Sequence, residues 1–151
     1  MRAFRFPLQK ALELRARQLE LEEVKFQRAA AALATVDRER ELLLSARTEA
    51  EALVRGAAPI PGEDLAALGA FRRHTETEQK RIAQRRAQSE KALEDQRGVM
   101  LEARRRHRLL ERLKERRHAE WSAAAAKELE EIAAESYLAQ WRRDAGNEAA
   151  R

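Results

Sequence analysis

Residues 104–121, RRRHRLLERLKERRHAEW, carry the densest chemistry in the chain. Ten Lys, Arg or His side chains surround Leu109, Leu110, Leu113 and Trp121, and only Glu111 and Glu115 interrupt them before Glu120. Guanidinium groups at this density suit carboxylates or phosphates, so the stretch reads as a surface offered to something acidic. It has too few apolar groups per turn to be a globular core. The histidines do not add a metal site: His74 and His107 would lie ~50 Å apart along a helix. His107 reads as the edge of a packed seam, and His74 and His118 as surface. Adjacent acids such as Glu130 and Glu131 point in different directions on a helix and read as solvated charge. No catalytic motif is present, and two helices supply no preorganised pocket. The sequence therefore predicts a protein without catalytic, cofactor or metal residues, whose function lies in shape and charge.

The elements that must position this stretch are helices. Of 151 residues, 38% are charged and 5% aromatic, with five Gly and three Pro, and the commonest residues are strong helix formers. The composition and its periodicity predict an all-α chain, an antiparallel two-helix coiled-coil hairpin with helix 2 longer than helix 1. Charge is uneven: residues 1–70 hold 11 basic and 11 acidic side chains, residues 71–118 hold 16 and 8, and residues 119–151 hold 4 and 7. The basic excess thus sits in the second half, where it can steer an anionic partner. Cysteine is absent, which leaves no disulfide framework. The opening MRAFRFPLQKAL has no apolar core of a secretory signal, and no run approaches the ~18 apolar residues of a membrane span. A cytoplasmic protein without direct membrane insertion is expected.

Helix 1 is expected over about 7–55, with Pro7 in its first turn. Leu12, Leu19, Phe26 and Leu33 repeat every seven residues, and Leu8, Ala29, Val36, Leu43 and Ala50 supply companion positions. Arg15, Glu22, Arg40 and Arg47 interrupt this seam. Leu14, Leu21 and Leu42 lie outside it, either as a partner-facing ridge or as ordinary surface leucines. The turn, 56–62, contains Gly56, Pro59, Pro61 and Gly62, and Gly56 is expected in the left-handed conformation that closes helices. Helix 2 is expected over about 63–143, followed by a frayed tail at 144–151. Phe71, Ile82 and Leu93 repeat at eleven, as do Leu110, Trp121 and Ile132, which predicts a relaxed supercoil. A hairpin closing at 56–62 pairs residues whose numbers add to about 118: Leu110 with Leu8, Met100 with Leu19, Leu93 with Phe26, Ile82 with Val36. Helix 2 then runs unpaired beyond roughly residue 112.

Nearly the whole chain resembles the flagellar export protein FliJ family. The N-terminal pattern F-x-F-x-L-x-K-x-L-E-L-R is met by Phe4, Phe6, Leu8, Lys10, Leu12, Glu13, Leu14 and Arg15. A short mid-chain turn separates two long helices. The run L-E-R-L-K-E-R-R-x-x-E-W is met by Leu110–Trp121, followed by E-L-E-E-I-A at Glu128–Ala133. The resemblance implies a shaft like that of rotary ATPases, whose end bearing both termini enters a hexameric export ATPase. It implies that the coiled coil reaches toward an export-gate membrane protein, which would hold this cytoplasmic chain peripherally at the inner membrane. Export chaperones are further implied partners. Carried over, Leu110, Arg112, Leu113, Arg116, Arg117 and Trp121 form the ATPase-docking set, and Phe71 belongs to a gate-facing surface that polar Thr75 and Glu78 do not extend. Two alternatives stay open: the stalk of a virulence type III secretion system, and a basic coiled coil that scaffolds or binds nucleic acid without sequence specificity.

Overall fold

The computed structural model describes residues 3–56 and 59–149, with the side chains of 144–149 left aside. Two helices, α1 (Gln9–Gly56) and α2 (Gly62–Ala149), make up almost all of it, and they pack against each other; no strand occurs among the described residues. Both helices start later or end later than the sequence suggests. Pro7 precedes α1: Gln9 N–H donates to the Phe6 carbonyl at 3.2 Å, a turn with proline at its second position. The helical bonds begin at Leu12 N–H to the Leu8 carbonyl, 2.9 Å. At the other end, α2 does not stop at 143 but continues to Ala149. No proline opposes it there, and a single Gly146 costs only about 1 kcal/mol.

The turn also differs in detail. Gly56 is the last helical residue of α1 and does not adopt the left-handed conformation. Ala57 and Ala58 lie outside the described residues. Leu65 N–H donates to the Pro61 carbonyl at 3.3 Å, so Pro61 caps α2 and Glu63 and Asp64 fall in its first turn, where the helix dipole favours acids.

The chain divides into two compact units, residues 17–104 and residues 3–16 with 105–149, where the sequence reads as one hairpin. In the first unit the cross-helix bonds run in opposite order along the two helices, from Glu51–Arg72 through Glu39–Arg85 to Glu22–Gln96, so the pair is antiparallel. The expected α1 seam is the low-exposure face: Val36 is 5% exposed, and Leu19, Phe26, Ala29, Leu33, Leu43 and Ala50 are half-buried. On α2 the seam is not the eleven-residue repeat. Thr75, Ile82, Ser89, Gln96 and Ala103 recur every seven residues, with Gln79, Arg86, Leu93 and Met100 between them, all buried or half-buried. Thr75 is fully buried, and its hydroxyl donates to the Arg72 carbonyl at 2.9 Å.

The register is shifted as well. Glu51–Arg72, Asp37–Arg86 and Glu39–Arg85 have residue numbers adding to 123 or 124, and Glu23–Arg104 to 127; only Glu22–Gln96 keeps 118. Met100 accordingly shares a surface groove with Val24, Phe26 and Ala31, not with Leu19. Ion pairs flanking the seam fix this offset, and apolar pairing alone does not specify it.

In the second unit Leu12 is buried, and His107, Leu110, Leu113 and Lys114 are half-buried. Pairing does not end near 112. Phe4 packs its ring against His118 and Trp121, so the segment before α1 covers α2 for two further turns. From 122 to 143 every side chain is exposed except half-buried Ala125.

Candidate protein-docking surface

The side chains expected to dock a partner fall on two faces of α2. Leu110 and Leu113 are half-buried, and Trp121, 36% exposed, belongs to an aromatic cluster. Phe4 meets His118 edge-on at 5.0 Å between ring centroids and Trp121 at 5.9 Å, while His118 and Trp121 lie 5.7 Å apart. Aromatic pairs at these separations add stabilisation beyond area burial. Phe4 also lines an open cleft of about 830 Å³ with Phe6, Pro7, Lys10, Glu13 and Lys114. Helical periodicity does not reveal this cluster; His118 is exposed, as expected, and also meets Phe4. The available signal was two aromatics, Phe4 and Phe6, placed just before α1, on a chain whose hairpin brings that end near Trp121.

Arg112 and Arg116 are exposed one turn apart, roughly opposite Leu110 and Trp121 on the helix circumference. Arg117 is held by Glu120 at 3.3 Å. His107 Nδ1 lies 3.4 Å from Glu111, with the imidazole side chain 17% exposed, which agrees with its place at the seam edge. Arg112 and Arg116 have no ion pair among the described residues.

The gate-facing expectation at Phe71 lies in the other unit. Phe71 is half-buried and lines a shallow cleft of about 360 Å³ with Ala50, Leu53, Val54, Asp64, Ala67 and Leu68. Leu53 is 77% exposed and Leu65 52%, so the accessible apolar surface near the turn centres on the leucines. Thr75 does not interrupt that surface, because it is buried between the helices. Leu14, Leu21 and Leu42 are 57%, 60% and 70% exposed.

Part of the charge in residues 17–104 is used internally. Arg85 grips Glu39 through two bonds of 2.8 and 3.3 Å, and Arg86 reaches Asp37 at 2.7 Å and Glu90 at 3.1 Å. The Asp37 carboxylate, then Glu90, raise the Arg86 pKa above its ordinary value. Bonds from Lys25 and Gln96 hold the Glu22 carboxyl below the usual range, and Arg47 with Arg72 does the same for Glu51. Among the described residues no group of three or more His, Cys, Asp or Glu is gathered, and no helix is long and apolar enough to cross a membrane. Comparison with protein-family models, with curated proteins and with solved structures returns no match.

Proposed function

We propose that this chain is a non-enzymatic stalk of a flagellar type III export apparatus, which docks into a hexameric export ATPase and stimulates it. The observation that carries the reading is the exposed arginine face of α2 at Arg112 and Arg116, which no acid among the described residues answers, on the side of the helix away from an anchored Trp121. Acidic loops of a surrounding ring can answer it, and Trp and Arg are the residues that dominate interface energetics. One asymmetric shaft cannot contact six subunits equally, so it biases them into different states by differential affinity. The heptad recurrence on both helices supports a coiled-coil pairing in residues 17–104. Cytoplasmic residence, peripheral attachment through an export-gate membrane protein near Phe71, and contact with export chaperones belong to the same reading.

Replacing Arg112, Arg116 and Arg117 together by Glu is expected to abolish stimulation of ATP hydrolysis, measured with the purified ATPase. Circular dichroism should show helical content unchanged, since all three are good helix positions for Glu. Stimulation equal to wild type overturns the assignment. The nucleic-acid alternative is tested by binding at rising salt. Weak binding lost near physiological salt is expected, and binding that survives about 200 mM salt would favour the alternative.

A further inference from the structure

The second unit leaves one face of α2 unanswered along most of its length, and that face is self-complementary. Residues 105–117 carry seven basic and two acidic side chains, while residues 125–137 carry four acids and one lysine. An opposite charge of this kind within one helix cannot be satisfied in the same chain, because the two arms lie ~30 Å apart. It can be satisfied by a second copy running the other way.

The spacing on that face supports this. Taken at helical intervals of three and four, Arg105, Arg108, Arg112, Arg116 and Ala119 fall on one side of α2, followed by Ala123, Ala126, Glu130, Ala134 and Tyr137. The intervals read the same in both directions about residue 121. Laid antiparallel on a two-fold axis at that point, Arg112 meets Glu130 of the second copy and Arg105 meets its Tyr137. Ala119 meets Ala123 at the centre, where small side chains let backbones approach to 8–10 Å. Each contact occurs twice by symmetry. Glu130 and Tyr137 are exposed, Tyr137 by 70%, and Arg112 and Glu130 have no ion pair among the described residues. We propose that this face of α2 is a homodimer surface, joining two copies antiparallel about residue 121 through reciprocal Arg112–Glu130 pairs.

This proposal does not depend on the ATPase reading, but it uses two of the same arginines. A self-paired chain therefore has its docking face covered, and the ATPase must displace the second copy.

Sedimentation equilibrium of the full chain tests it. Glu130→Arg and Arg112→Glu should each weaken dimerisation about tenfold, since two attractive contacts become two repulsive ones. Mixing the two single variants should restore dimers, because the Glu at 112 in one copy then faces the Arg at 130 in the other. The double variant should also dimerise with itself. Spin labels at position 123 of both copies should lie within ~15 Å, and labels at position 137 ~50 Å apart. A wild-type chain that stays monomeric at about 200 µM overturns the proposal. Failure of the mixture to rescue, or short distances at both label positions, overturns it equally. Each of these outcomes is read without the ATPase, so the two readings fail separately.

Discussion

Residues 17–104 and residues 105–143 use the same side chains to opposite ends. In the first region Arg72, Arg85, Arg86 and Arg104 each close on an acid of the facing helix at 2.7 to 3.1 Å. In the second, Arg117 bonds to an acid of its own helix, and Arg112 and Arg116 bond to none among the described residues. The difference is one of supply. A helix pair that presents acids at positions flanking its seam consumes its arginines in fixing register. A stretch with seven basic side chains and two acids between 105 and 117 has too few acids to consume them, and Arg112 and Arg116 stay without an ion pair among the described residues. Arginine count alone does not mark a binding surface; unanswered arginine does.

The sharpest way to break this contrast is in the seam. Ile82→Ala should destabilise the 17–104 unit by about 2–4 kcal/mol, because Ile82 is 7% exposed. Ile132→Ala, at 56% exposed, should change stability by no more than about 0.5 kcal/mol. Thermal denaturation of the full-length variants measures both, and equal effects would remove the distinction between packed and open helix.

Charge removal gives a smaller effect. Arg86→Ala should lower hydrogen-exchange protection around residues 37 and 86, whereas Arg112→Ala should leave protection in its own region unaltered. Comparable losses at both sites would mean that Arg112 has an internal partner after all.

Acid titration should give the smallest effect, confined to one unit. The folded-state pKa values of Glu22 and Glu51 are depressed, so their contribution is present above the unfolded carboxylate range. It is lost as pH falls through the depressed folded values. Both side chains are half-buried at the edge of the helix pair, so protection near residues 22, 51, 72 and 96 should decline gently below the ordinary carboxylate pKa. A decline near residues 105–117 over the same interval would contradict the assignment.

The seam of α1 was legible in the sequence because Leu12, Leu19, Phe26 and Leu33 mark it with apolar side chains. The seam of α2 was not, because Thr75, Ser89 and Gln96 occupy positions that the periodicity argument expects to be apolar. Eleven residues equal one heptad plus four, so Ile82 and Leu93 land on successive kinds of seam position and imitate a longer repeat. The register was illegible for another reason. The turn sets only a starting point, and the offset is fixed by long side chains such as Arg85 and Glu39, whose pairing leaves no periodic trace. The six residues read as one docking set all lie on α2, and spacing of two, as between Leu110 and Arg112, divides them between opposite sides of it. Phe4 was legible as part of the N-terminal pattern, but its packing on His118 and Trp121 leaves no trace in helical periodicity, because it precedes α1.

The seven-residue recurrence on both helices also constrains how this chain can change in length. One residue inserted into α1 or α2 between 17 and 104 turns everything beyond it by about 100°. Such a change would carry Val36 or Ile82 to the outside and separate Arg86 from Asp37 in one step. Seven residues added to both arms at opposed points would preserve every contact. Divergent versions of this protein should therefore differ in paired heptads within that region. Beyond residue 137, past the proposed dimer face, their lengths should drift one residue at a time.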